Sequence, residues 1–235
     1  MRFLLTFLLM VLSVTAHAES RITLSPARTI VLGGVIGGRT LAPMLEALDQ
    51  LGKKKDEPID IIISSPGGSV IVGSIIVDRM EQLKNEGVVF RCVVRDLAAS
   101  MAFQLLLHCS ERYSAPGAFL LWHPVRVFAS GPVTEKDAES LRVQLRQADD
   151  VVLADLKKEL PMKESLLMWH FHNETLHQAF NLVKSAPGFF DAVTNNIGNL
   201  YPKKTFLDTT MLGSAFGFQQ IMYIHERFIS QEKSL

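Results

Sequence analysis

Residues 59–69 read Ile-Asp-Ile-Ile-Ile-Ser-Ser-Pro-Gly-Gly-Ser, and no other stretch restricts the fold as tightly. Three consecutive isoleucines, Ile61 to Ile63, suit a strand covered on both faces, the condition of a parallel sheet. Ser65-Pro66-Gly67-Gly68-Ser69 is expected to break that strand sharply. Helical periodicity follows from 69 to 85, with Val72, Ile76, Met80 and Leu83 on one stripe. Strand, glycine turn and helix in succession form the building unit of a layered α/β fold.

The same alternation recurs along the chain. Thr29 to Leu32 is a strand, glycines 33, 34, 37 and 38 are read as the turn out of it, and a helix runs from 40 to 51 with Leu41, Leu45 and Leu48 on one face. Gly87 ends the second helix before a strand at 88–94. A third helix opens at Ala98-Ala99-Ser100-Met101, and short strands follow at Arg112-Tyr113 and 118–122. Thr134, with Asp137 three residues on, caps a long helix reaching Leu160. Its expected buried stripe is Ala138, Leu141, Leu145, Ala148, Val152 and Leu156. Residues 162–200 read as helical with breaks at Pro187 and Gly188, and 206–230 as one or two helices.

With 48% hydrophobic residues and 24 basic against 24 acidic side chains, the chain is not of disordered composition. Its balanced charge provides no field for a phosphate backbone, so no nucleic-acid partner is expected. Arg2, the apolar run from Phe3 to Val14 and the small residues around Ala16 and Ala18 read as a secretory signal peptide cut after Ala18. That assigns 1–18 to the signal and 19–235 to one domain, exported to the periplasm or secreted. A retained membrane anchor is the alternative, though the run is shorter than a bilayer span. Cys92 and Cys109 would then meet an oxidising compartment, either paired or as two buried thiols.

Three segments carry chemistry. Ser64-Ser65-Pro66-Gly67-Gly68-Ser69, Ala98-Ala99-Ser100-Met101 and Leu121-Trp122-His123-Pro124 each lie where a strand gives out, the edge at which open α/β sheets build their sites. Acyl transfer needs a hydroxyl beside an imidazole, with backbone amides aimed at the developing oxyanion. Ser100 at a helix start supplies the first, His123 the second, and a side-chain-free Gly67-Gly68 turn lets an amide approach the same point.

In this order the three segments resemble the proteolytic-subunit family of the Clp protease, within the wider crotonase-like fold of repeated β-β-α units with a long helix after the sheet. The resemblance runs from about Arg28 to Leu160 and leaves 162–205 poorly matched. It implies Ser100 as nucleophile, His123 as general base, the amides of Gly68 and Met101 as oxyanion hole, and no cofactor. It implies peptide or unfolded-protein substrates and a ring-forming homo-oligomer, with the 134–160 helix placed for ring contacts. An ATP-dependent unfoldase partner is not expected for an exported chain.

The third triad member is open. The family places an aspartate shortly before a Phe-Leu segment, but Phe206-Leu207 follows Lys203-Lys204-Thr205 here. Asp208 is the nearest carboxylate and Asp191 a second candidate. A Ser/Lys dyad using Lys136 is a rival mechanism, an inactive scaffold on the same fold a rival function, and an acyl-thioester enzyme of the crotonase type a third reading. His170, His172 and His177 lack the spacing of a zinc set, so no metal is expected.

Overall fold

The computed structural model describes residues 21–127 and 131–212. The expected signal peptide, and the helices expected beyond residue 212, lie outside them. In chain order the elements are β1 (Ile22–Thr23), β2 (Thr29–Ile36), α1 (Gly38–Gly52), β3 (Ile59–Gly68), α2 (Val70–Asn85), β4 (Phe90–Ala99), α3 (Met101–Leu107), β5 (Glu111–Ser114) and β6 (Phe119–Leu121). Then come α4 (Glu135–Glu159), α5 (Glu164–Asn173), β7 (His177–Gln178), α6 (Ala179–Ser185), β8 (Ala192–Val193), β9 (Ile197–Gly198) and β10 (Leu207–Asp208).

The main sheet runs β10-β2-β3-β4-β5-β8, with β6 also paired to β4 and β7 to β6. All of these pairs are parallel except β6–β7. Period-two alternation explains why the isoleucine triplet must be apolar throughout. Ile61 and Ile63 join Ile30, Leu32, Cys92 and Val94 in the large core with the helices, while Ile62 joins Val31, Val93 and Leu24 in a second core beside Ile22 and Ile197. Both faces of the sheet are therefore covered, as its parallel pairing requires.

β4 changes neighbour halfway along. Arg91 to Val94 pair with Glu111 to Ser114 of β5, and Leu97 to Ala99 then pair with Phe119 to Leu121 of β6. This fork sets two strand ends side by side. Cys92 on β4 and Cys109 beyond α3 are bonded as a disulfide and almost wholly buried. Of the two states left open by the sequence, the structure has the pair.

Five expectations need correction. The third helix does not open at Ala98, since Ala98 and Ala99 pair with Leu120 and Leu121 in β4 and α3 starts at Met101. Residues 162–200 hold β7, β8 and β9 as well as α5 and α6. Pro66-Gly67-Gly68 does not end β3: Val35 pairs with Gly67 and Ile36 with Gly68, and the strand yields to α2 only at Ser69. Gly33 and Gly34 likewise lie within β2, where a Cβ on Gly33 would fall 2.1 Å from Thr210 Oγ1. The glycines serve close packing there and not a turn. On α4 the capping box of Thr134 and Asp137 forms as read. Of its expected buried stripe, however, only Val152 and Leu156 are buried, while Leu141, Leu145 and Ala148 are partly uncovered and Ala138 is exposed. The N-terminal part of α4 extends past the body it packs on.

Candidate active site

Ser100 follows β4 directly. Its amide donates to Leu121 O at 2.8 Å, extending the β4–β6 ladder by one bond. Its backbone then turns to φ 55° and ψ −125°, a conformation costly for a residue with a Cβ and characteristic of functional positions. Two roles compete for a serine before a helix. Ser69 shows the capping one, since its hydroxyl accepts from Val72 N at 3.3 Å. The hydroxyl of Ser100 makes no capping bond to α3.

The glycine pair packs against this serine. A Cβ on Gly67 would lie 2.7 Å from Ser100 Cβ, 2.8 Å from Met101 N and 2.5 Å from Ala99 O, and the residue has φ +91°. Gly68 is as confined from the other side, where a Cβ would meet Ile36 O at 2.1 Å. Glycine is required at both positions by sterics as well as by φ. Met101, at the first position of α3, has an amide that the helix geometry leaves without an intrahelical acceptor. Its side chain turns away toward Gly73 of α2, where a Cβ would touch Met101 Cγ.

His123 lies two residues beyond Leu121, the register partner of Ala99, so serine and histidine leave adjacent strand ends. No hydrogen bond joins their side chains among the described residues. His123 Nδ1 is instead 2.6 Å from Pro124 O. A carbonyl only accepts, so Nδ1 carries the hydrogen and Nε2 is left with its lone pair. Burial is the largest influence on the ring and holds its pKa below the ordinary histidine value. The Pro124 carbonyl opposes that shift, Arg126 adds to it, and Glu174 and Asp149 oppose it. The imidazole is neutral near pH 7, as a general base must be.

Trp122 anchors the segment from behind. It stacks on Phe103 of α3 at 5.0 Å between centroids and on His177 at 4.5 Å, with the rings nearly parallel, and His170 is edge-on to His177 at 4.3 Å. Of the histidines singled out in the sequence, His170 and His177 thus belong to an aromatic packing cluster, while His172 lies edge-on to Phe171. No group of three or more metal-ligating side chains occurs among the described residues.

Neither aspartate named from the sequence is at this site. Asp208 is on β10, three strands from β4 across the sheet, in register with Val31 and accepting from Thr210 N at 2.8 Å. Through Val31, Ile62 and Val93 that register meets β4 seven positions before Ser100. Asp191 accepts from Arg112 N at 2.7 Å, at the level of Cys92. Both expectations fail for one reason: β10, which bears Asp208, and β8, which Asp191 precedes, pair at the level of Cys92 to Val94 of β4, away from the edge where Ser100 and His123 emerge. Lys136 is exposed on the projecting part of α4. The carboxylates near His123 that the sequence reading missed are Glu174, paired with Arg126, and Asp149 of α4, whose Oδ1 accepts from Val125 N at 2.6 Å. The signal for Asp149 was an acid on the inward helix face between Leu145 and Val152.

A strand-end serine with positive φ, two confined glycines against it and a histidine from the neighbouring strand end define an α/β protein that builds its site from the edge of a parallel sheet. The chain matches the Clp protease family over residues 15–159, more than half its length, and belongs to that family. It is 31% identical over 111 residues to the ATP-dependent Clp protease proteolytic subunit 3 of Streptomyces avermitilis. It is 32% identical over 111 residues to the ATP-dependent Clp protease proteolytic subunit 1 of Streptomyces coelicolor. Each match covers 46% of this chain and 49% of the relative, so the chain spans about half the length of the curated relatives it matches.

Proposed function

We propose that the protein is an exported serine peptidase that cleaves peptide bonds through an acyl-enzyme on Ser100. The observation that carries this reading is the packing of Gly67 against Ser100 Cβ and Met101 N, at the strand end beside the one leading to His123. His123 Nε2 takes the Ser100 proton as Oγ attacks the scissile carbonyl, and the amides of Gly68 and Met101 receive the oxyanion. His123 then returns that proton to the leaving amine, and water, deprotonated by the same nitrogen, releases the acyl group.

Two features support export: the signal-like residues 1–18 and the buried Cys92–Cys109 disulfide, since disulfides persist in oxidising compartments. The curated relatives are named as ATP-dependent. An exported chain would lack ATP, so the substrates proposed here are short or unfolded peptides taken without an unfoldase. Among the described residues no helix is long and apolar enough to cross a membrane.

The test is labelling by a fluorophosphonate probe together with hydrolysis of fluorogenic peptides. Wild-type labelling that vanishes in Ser100→Ala is expected. A folded wild type that neither labels nor hydrolyses would favour the inactive scaffold instead.

A further inference from the structure

A serine hydrolase usually holds its histidine with a carboxylate on the imidazole nitrogen remote from the nucleophile. Here that nitrogen faces the Pro124 carbonyl, and something must aim the carbonyl. Pro124 C=O and Val125 N–H belong to one peptide unit, which is planar and trans, so they point in opposite directions and turn together. Val125 N–H is bound by Asp149 Oδ1 at 2.6 Å. Fixing one end of that unit fixes the other. The next residue, Arg126, is ion-paired with Glu174 at the end of α5, which restrains the same segment from a second element.

We propose that Asp149 performs the orienting task of the triad acid without touching the imidazole, by clamping the Pro124–Val125 peptide whose carbonyl holds His123 Nδ1. Asp149 is thus a positioning residue, and the inference rests on the acyl-enzyme reading for its effect on rate. The charged groups acting on the ring are Asp149 from α4, Glu174 from α5 and Arg126 from its own segment. The clamp needs an acceptor oxygen and not a negative charge. Asn at 149 retains such an oxygen, whereas Ala does not.

The experiment uses the full chain and its Asp149→Ala, Asp149→Asn and Asp208→Asn variants. It measures the fluorophosphonate labelling rate of Ser100, kcat and KM on a fluorogenic peptide, and the tautomer of His123 by nitrogen-15 NMR. Asp149→Ala is expected to slow labelling and kcat by about 10- to 100-fold with KM little changed, the scale of a misplaced catalytic group. It should also convert a single Nδ1–H tautomer into a mixture. Asp149→Asn and Asp208→Asn should keep the wild-type tautomer and rates within about twofold, a difference of less than 0.5 kcal/mol in barrier.

An unchanged tautomer and rate in Asp149→Ala would overturn the proposal, as would an Nε2–H tautomer in the wild type. A collapse of rate in folded Asp149→Asn would also overturn it, because the charge would then be the working part. Should Asp149→Ala fail to fold, the Asn variant still decides between clamp and charge. If wild-type Ser100 is not labelled at all, the acyl-enzyme reading fails on its own, and the tautomer spectra still decide whether Asp149 orients His123.

Discussion

Gly67 approaches Ser100 so closely that a methyl group on the glycine would fall 2.7 Å from the serine's Cβ, nearer than unbonded carbons come. The contact locks the end of β3 against the start of α3. It makes residue 67 as restrictive a position as Ser100 itself. Gly67→Ala is expected to reduce probe labelling at least about 100-fold, because the serine must move and a displacement near 1 Å is enough for such a loss. A parallel thermal melt should show a lower Tm, since Ala must also adopt φ +91°. Wild-type labelling in this variant would show that the two strand ends do not meet in solution.

Acid should weaken the fold through His177. Burial, with a smaller contribution from His170, pushes its pKa down to about 3 from an ordinary 6.5. A group depressed on folding favours the folded state while neutral. Its contribution is complete above pH 6.5 and is lost as pH falls from 6.5 toward 3, at about 1.4 kcal/mol per pH unit at most. His177→Phe keeps a ring against Trp122 and removes the titration. Chemical denaturation at pH 7.5 and pH 5 should therefore show a smaller difference for the variant than for the wild type.

His108 works in the opposite sense. Burial lowers its pKa, but Asp155 of α4 and Glu81 of α2, at 3.4 and 2.9 Å from its two nitrogens, outweigh that and raise it. The stability it adds is full below pH 6.5 and disappears as pH rises through the elevated folded value. His108→Gln should cost most at pH 6 and least at pH 9 when urea midpoints are compared. A loss that does not change with pH would mean the two carboxylates do not act on this ring.

The Cys92–Cys109 bond closes a loop that contains Ser100, with a sequence separation of 17. A loop of that size confers about 3 kcal/mol when the unfolded chain bears the restriction. Cys92→Ala with Cys109→Ala should lower the unfolding free energy by about that amount. Maleimide should label no thiol in the unreduced wild type after denaturation. Two labelled thiols would remove both the bond and its support for export.

The projecting part of α4 carries Leu141 and Leu145 half-covered, with Val143 46% exposed. Leu141 and Leu145 stand one turn apart on the same face, where a second subunit could cover them together. Leu141→Glu with Leu145→Glu should leave the secondary structure of the subunit intact while shifting sedimentation from a larger species to one of the mass of a single subunit. A wild type that already sediments as a single subunit would exclude assembly through this helix.

Period and composition made most of the architecture legible. The isoleucine triplet announced a doubly covered strand, and of the stripe read on α2 Ile76, Met80 and Leu83 are buried while Val72 is partly covered. The glycines were harder, because a glycine that turns and a glycine that admits a neighbour look alike in sequence. Gly33 answers to Thr210 and Gly68 to Ile36, contacts made only after folding. The acid was harder still. Asp208 was suggested by nearness to Phe206-Leu207, whereas Asp149 meets Val125 through a helix whose packing partner no local pattern reveals. On α4 the predicted stripe is buried only at Val152 and Leu156, because spacing along a helix does not tell how far the helix runs past the body it packs on.

Because β4 passes from one neighbour to the next between Val94 and Leu97, the separation of Ser100 from His123 is set by the pairing of Ala99 with Leu121 and not by the chain that links them. The link includes Gly117, exposed and with open space where a side chain would stand. A graft of several residues at 116–117 would lengthen the path between Ser100 and His123 while leaving their spacing untouched. That makes this bend a place where the fold can carry an appendage while Ser100 and His123 keep their relation.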